Sequence, residues 1–404
     1  MTAVPPMEQR SNQHPHARFR WPSILRLTCL GVMVGGVVAT TLVMLWQLRT
    51  PYWLDEANTI FYLQQPFPRM LRYIASDFFP PAYYFLLRGW AAWFGVSEVA
   101  TGSLSLLLFC LAAAITYALG RRLFDRPTAA AATVLLWVSN AGVYYATETR
   151  MYALLIVAAA ASTALLVALL QQPKRWQLYL GYGVVTLLGV YTHYAFWFLV
   201  YAQNLAVVLL QRKWPTRLLR LPFVLLQVFF LIAYAPQWFV LWDKVTTWYL
   251  APGESWVDLV PVGLNLFWSI PHELLLFTQL EIWLCGVGWT VAAVLLVLPW
   301  IRLQIRWRSR EVKLSLRPFE PRVALLALSV LVPLFALYAL GVNVARYAAF
   351  LAPLLALLVV RGASYLPPDY QRVAVAGVVG LVATVNVVAA LAAPKHFQNV
   401  AWPA

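Results

Sequence analysis

Three acids stand close together in a stretch that is otherwise apolar and basic. Asp55, Glu56 and Asp77 fall within RTPYWLDEANTIFYLQQPFPRMLRYIASDFFPP, residues 49–81, directly after the first strongly apolar segment. Adjacent carboxylates beside a membrane helix are costly to desolvate, so they either reach water or perform chemistry. One of them can act as a general base on a hydroxyl, with its neighbour orienting the base or the nucleophile. The bland alternative is a solvated loop in which Asp55 caps a helix at its positive end. A second group is Glu148 and Arg150 in YYATETRMY, residues 144–152. Two residues is not a helical pairing distance, although mutual neutralisation in a loop remains a reading. The third is Arg346-Tyr347 at the start of an apolar run, where a cation is unfavourable and answers to an anion. A snorkelling arginine is the alternative.

Composition decides what must position these groups. Hydrophobic residues make up 62% of the 404 positions and charged residues 11%, with a mean hydropathy of +0.70. Soluble domains are about half apolar and a quarter charged, so the class is an all-α polytopic membrane protein. Apolar segments long enough to cross a bilayer lie at 26–48, 98–120, 127–145, 151–171, 176–192, 194–211, 219–240, 281–301, 322–340, 345–361 and 372–392, which makes about eleven transmembrane helices. The run 82–95 carries Arg88 and is too short to span, so it reads as an interfacial helix. Thr192-His193-Tyr194 forms a tight turn between two spans.

The net charge of +15 belongs to topology, not to nucleic acid. With the N-terminus in the cytoplasm, most of the 30 Lys and Arg fall in cytoplasmic segments, including the cluster at 302–322, while most of the 15 acids fall outside. The organisation expected is a basic cytoplasmic tail at 1–25, a membrane domain at 26–392 and a short outer tail at 393–404. Within the domain, 49–97 is a long first outer loop, 241–280 a second large outer loop and 302–322 a basic cytoplasmic loop. Asp55, Glu56, Asp77, Glu148, Arg150 and Arg346 then meet on the outer face. Aromatics at 241–280, among them Trp242, Trp248 and Trp256, fit the interface belt better than sugar stacking. Cys29, Cys110 and Cys285 stand singly in apolar segments and form no framework.

The co-linear set of L-D-E-A at 54–57, D-x-x-P-P-x-Y-Y at 77–84, F-G-x-S-E at 94–98, G-R-R-L-F at 120–124, Y-x-x-E-x-R-M-Y at 145–152 and R-Y at 346–347 resembles the bacterial PMT-like, family 39 type, glycosyltransferases. One departure is Phe79, where relatives often place His before Pro-Pro. The resemblance implies a GT-C-like bundle whose long first outer loop carries the acidic motif and interfacial helices. It also implies a polyprenyl-phosphate sugar donor, a glycan, lipid or protein acceptor, and a place in the bacterial plasma (inner) membrane. Asp55 matches the family's catalytic aspartate, with Glu56 beside it. Asp77 and Glu148 match secondary acidic positions that bind sugar hydroxyls or hold arginines. Arg346 with Tyr347, and Arg150, would meet the phosphate, and analogy suggests one-step displacement with inversion.

No metal is required by this residue set, although a divalent cation is compatible with it. There is no H-x-x-x-H pair, and His193 alone or His272-Glu273 makes a poor ligand set. The chain has no G-x-G-x-x-G and no P-loop, which argues against soluble nucleotide donors. The rival class is a flippase or transporter of a lipid-linked sugar using the same outer charges. Against it stand the lack of an internal repeat and charges gathered at one face instead of the midplane.

Overall fold

The computed structural model describes residues 23–77, 79–210, 221–244, 290–306, 311–340 and 345–392. The helices are α1 (Ser23–Gln47), α2 (Leu54–Gln64), α3 (Phe67–Ser76), α4 (Ala82–Phe94), α5 (Glu98–Leu123), α6 (Arg126–Val138), α7 (Tyr152–Gln171), α8 (Trp176–Val190), α9 (Phe196–Leu210), α10 (Leu221–Ala233) and α11 (Ala235–Lys244). After the strands β1 (Ile301–Arg306) and β2 (Glu311–Leu316) come α12 (Pro321–Ala339), α13 (Ala352–Ala363) and α14 (Pro368–Ala392). A π-helical segment, Ala141–Tyr145, follows α6, and a 3-10 helix, Ala345–Leu351, leads into α13.

Among the described residues six helices are long and apolar enough to cross a bilayer: α1, α5, α7, α12, Arg346–Ala363 and α14. A seventh crossing results if the bent pair α10–α11 is one span. That pair turns by 59° where Pro236 sits in the first turn of α11, because proline supplies no N–H to continue the ladder. Two shorter apolar helices, α8 and α9, have 15 residues each. The run expected as one span at 127–145 is broken at Ser139 and continues as the π-helix. Of the span expected at 281–301, only residues from 290 onward are described, and they are helical to 297.

α7 is the centre of the bundle. It carries no charged residue, almost all of its length is buried, and it packs against α5, α8, α9, α13 and the 3-10 helix. α1 is the opposite case. It packs along α14 and leaves Ile24, Leu27, Leu30 and Leu42 exposed, the apolar face that a helix presents to lipid. Polar side chains inside the bundle join helices to one another. Tyr182 donates to Gln203 Oε1 at 2.8 Å, and Gln203 Nε2 reaches Ser162 and Thr163 at 3.1 and 3.2 Å.

α2, α3 and α4 fill the segment after α1. α4 has 13 residues, too few to span, as its sequence suggested. Its Arg88 folds back to donate to the carbonyls of Leu63 and Gln65 at 3.0 and 3.1 Å, clamping the α2–α3 turn. Among the described elements, β1 and β2 are the exception to helix. The basic segment expected as a loop at 302–322 begins with an antiparallel hairpin that pairs Ile301 with Leu316 and Arg306 with Glu311. The alternation in IRLQIR and EVKLSL has the period of a strand, which the charge reading passed over. The tail at 1–22, most of the loop at 241–280 and the tail at 393–404 lie outside the described residues.

Candidate active site

The first turn of α2 points its two acids at different partners. Glu56 is fully buried. Its Oε2 accepts the N–H of Trp53 at 3.3 Å, capping the helix, and its Oε1 accepts the N–H of Thr149 at 2.6 Å. One carboxylate thus joins two segments 93 positions apart, each through a backbone donor. Asp55 is about a quarter exposed and turns outward, to Arg346 Nη1 at 3.3 Å and Arg150 Nη2 at 3.9 Å. The second distance exceeds hydrogen-bonding range, so that attraction is electrostatic only.

Arg150 is placed by a loop that hydrogen bonds fix on every side. Ser105 donates to the Glu148 carbonyl at 2.6 Å, Thr101 and Thr149 hydroxyls meet at 2.8 Å, and Thr147 reaches Gln47 at 3.3 Å. Tyr52 adds a bond to Thr101 at 2.8 Å. Gly102 lets α5 approach this loop, since a Cβ there would lie 2.9 Å from the Thr147 carbonyl. The Arg150 guanidinium donates from Nη1 to Thr59 Oγ1 at 3.0 Å and the Asp55 carbonyl at 3.3 Å, and lies 5.0 Å over the Phe79 ring. Burial works against its charge, but Tyr84, Tyr152, Asp55 and Asp77 outweigh that and hold its pKa above the ordinary value.

Arg346 enters from the far end of the sequence on the 3-10 helix, which packs against α7. Its guanidinium lies 5.5 Å over Trp53 and 5.9 Å from the Tyr347 ring. Phe79, His193 and Tyr347 form a ring trio with centroid separations of 5.1, 4.9 and 5.8 Å. The trio therefore bridges the aromatic supports of the two arginines. Asp77 ends α3 and accepts the Tyr84 hydroxyl at 2.5 Å. Tyr62 lies within the field of Asp77, Arg150 and Asp55, and burial first, then Asp77, raises its phenol. Tyr62 stacks on Tyr73 with ring planes 5° apart. Glu148 is buried in the same layer.

Asp55, Arg150 and Arg346 thus come into direct contact. Tyr347 stands beside Arg346, Glu148 lies in the supporting loop, and Glu56 holds that loop from the first turn of α2. Asp77 is set apart by Tyr84. Sequence reasoning gave no structural part to Trp53, Thr59, Thr149 or the Phe79 ring, and it read His193 as part of a tight turn and as a poor metal ligand. Among the described residues no group of three His, Cys, Asp or Glu is placed to hold a metal ion. The arrangement can withdraw a proton at Asp55 and receive negative charge at two guanidiniums.

No curated protein matches the chain in sequence. Residues 79–242 match the family model described as dolichyl-phosphate-mannose-protein mannosyltransferase. Among solved structures, ArnT from Cupriavidus metallidurans in the apo state is similar at a TM-score of 0.54 and 15% identity, covering 84% of this chain and 61% of ArnT. The same protein bound to undecaprenyl phosphate is similar at a TM-score of 0.50 and 15% identity, over 85% of this chain and 60% of that one. This chain therefore spans about three fifths of the length of ArnT. Over residues 79–242 the chain is thus similar in sequence to the mannosyltransferase family model, and over most of its length it shares the polytopic helical fold of ArnT.

Proposed function

We propose that the protein is a membrane glycosyltransferase that moves a sugar from a polyprenyl-phosphate carrier to an acceptor hydroxyl on the outer face of a bacterial plasma membrane. The observation that carries this reading is one carboxylate, Asp55, shared between two arginines that come from loops distant in sequence. A structural ion pair needs one cation. A second guanidinium on the same carboxylate suits a site that must also receive a phosphate. The match to the mannosyltransferase family model and the likeness to ArnT bound to undecaprenyl phosphate support the class of donor.

In this reading Asp55 takes the proton of the acceptor hydroxyl as its oxygen bonds to the sugar C1. The bond from C1 to the phosphate oxygen breaks, its electron pair goes to the departing polyprenyl phosphate, and Arg346 and Arg150 receive the added charge. Displacement in one step inverts the anomeric centre. Glu56 acts through structure, holding the Arg150 loop and the first turn of α2 in register. Tyr347 stands at the phosphate beside Arg346, and Asp77 and Glu148, one step further out, bind sugar hydroxyls or hold the arginines in place.

The test is purified protein in detergent with a radiolabelled polyprenyl-phosphate sugar and a crude acceptor fraction. Label moving from lipid to acceptor supports an enzyme; label crossing the bilayer of reconstituted vesicles without leaving its lipid supports a transporter instead. Orientation is tested separately in intact cells. A membrane-impermeant thiol reagent should modify Ser255→Cys and spare Ser309→Cys, and the reverse pattern overturns the outer-face assignment.

A further inference from the structure

His193 occupies the turn between α8 and α9, and its ring is 3% exposed. The turn is held from two sides. Ala82 donates its N–H to the Tyr191 carbonyl at 2.9 Å, and the glycine at 189 leaves room for Phe196, whose ring would lie 2.5 Å from a Cβ there. The Ala195 N–H donates to His193 Nδ1 at 3.0 Å, so the neutral ring carries its proton on Nε2. That Nε2 is buried and has no hydrogen-bond partner among the described residues. The same is true of Arg150 Nε and Arg346 Nε. Phe79 and Tyr347, 5.1 and 4.9 Å from the imidazole, are the rings that flank those two guanidiniums.

Three N–H groups from three separate segments therefore lie about one ring cluster, each without a hydrogen-bond partner among the described residues. A buried donor left unmet costs stability, and three together point to a ligand that supplies several acceptor oxygens. We propose that the Nε2–H of His193 is a third hydrogen-bond donor to the phosphate of the lipid-linked sugar, beside Arg150 and Arg346. This rests on the reading of the site as a polyprenyl-phosphate sugar transferase. Burial, then Arg150 and Arg346, push the His193 pKa down to about 3, so at neutral pH it donates without adding a third charge. The donor phosphodiester carries one negative charge and the departing monoester up to two, so a fixed N–H gains strength as the bond breaks.

The experiment is binding of undecaprenyl phosphate, with undecaprenol as the control lacking phosphate, to purified wild type, His193→Phe, His193→Gln and Arg346→Ala. His193→Phe keeps a ring in the trio and should lose about ten- to a hundred-fold in undecaprenyl phosphate affinity. His193→Gln, which keeps a side-chain N–H, should recover most of that, and undecaprenol binding should not move. If Arg346→Ala weakens phosphate binding and His193→Phe does not, this inference falls and the site reading stands. If wild type does not prefer undecaprenyl phosphate to undecaprenol, both fall. Should His193→Phe not fold, 15N-histidine spectra of wild type decide. The resonance that His193→Gln removes must shift on adding undecaprenyl phosphate, and an unmoved resonance overturns the assignment.

Discussion

Among the described residues two carboxylate–arginine clusters join separate segments, at opposite ends of the same helices, and they are built differently. At the end away from the candidate site, Arg361 Nη2 meets both oxygens of Glu320 at 3.0 and 2.9 Å, Nη1 reaches Ser364 at 3.0 Å, and the Tyr365 hydroxyl also donates to Glu320. Arg317 lies 4.3 Å over Tyr365, and Arg322 donates to the Leu123 carbonyl at 2.9 Å, so α5, α12 and α13 are tied together. At the site end, Asp55 has two arginines at 3.3 and 3.9 Å. Arg361 Nε lacks a partner among the described residues, as Arg150 Nε and Arg346 Nε do, so the contrast lies in the carboxylate. Both oxygens of Glu320 are held by hydrogen bonds from its own chain, whereas Asp55 is held loosely, by contacts of 3.3 and 3.9 Å. The first geometry suits a clasp and the second a site that exchanges partners with a substrate.

Substitutions at the two ends should separate cleanly. The largest effect is expected from Asp55→Asn, which keeps the size of the side chain and removes the basic oxygen. Sugar transfer should fall by about 10²–10⁴-fold, the usual contribution of positioned proton transfer. Near-wild-type transfer would reduce Asp55 to a structural anchor for the two arginines, since Trp53 and Glu56, not Asp55, form the cap of α2. Arg346→Ala comes next. Losing a charge-assisted contact should weaken donor binding by roughly ten- to a hundred-fold with little change in resistance to denaturation. Unchanged donor binding would return Arg346 to a snorkelling role. Arg361→Met should do the opposite and do less. It should lower the unfolding free energy by about 1–2 kcal/mol, a modest figure because both partners are partly exposed, and leave transfer per folded molecule unchanged. A loss of transfer in folded Arg361→Met would erase the distinction between clasp and site.

The candidate site was partly readable from residue types, the Glu320–Arg361 clasp was not, and the reasons are physical. The full apolar runs of α1 and α7 read directly as membrane helices, because a bilayer demands length and hydropathy and little else. Asp55, Arg150 and Arg346 were legible because charge in an apolar chain is rare enough to require a reason. The partner of Glu56 was not, since it is the backbone N–H of Thr149, a group that every non-proline residue owns. Nor was the His193 environment, which depends on Phe79 and Tyr347 arriving from two other segments. The break at Ser139, the bend before α11 and the hairpin at 301–316 lie inside segments whose composition fitted the simpler element. There, backbone hydrogen bonding prevailed over average hydropathy.

In the proposed mechanism Asp55 serves the chemistry and not the hold on the lipid. Equilibrium binding of undecaprenyl phosphate to Asp55→Asn, in a preparation already shown to have lost transfer, tests that most directly. Removing the carboxylate leaves Arg346 and Arg150 without their competing anion, so affinity should equal or exceed that of wild type. Loss of binding together with transfer would contradict the assignment and make Asp55 part of a ligand-holding site, as a transporter would use it.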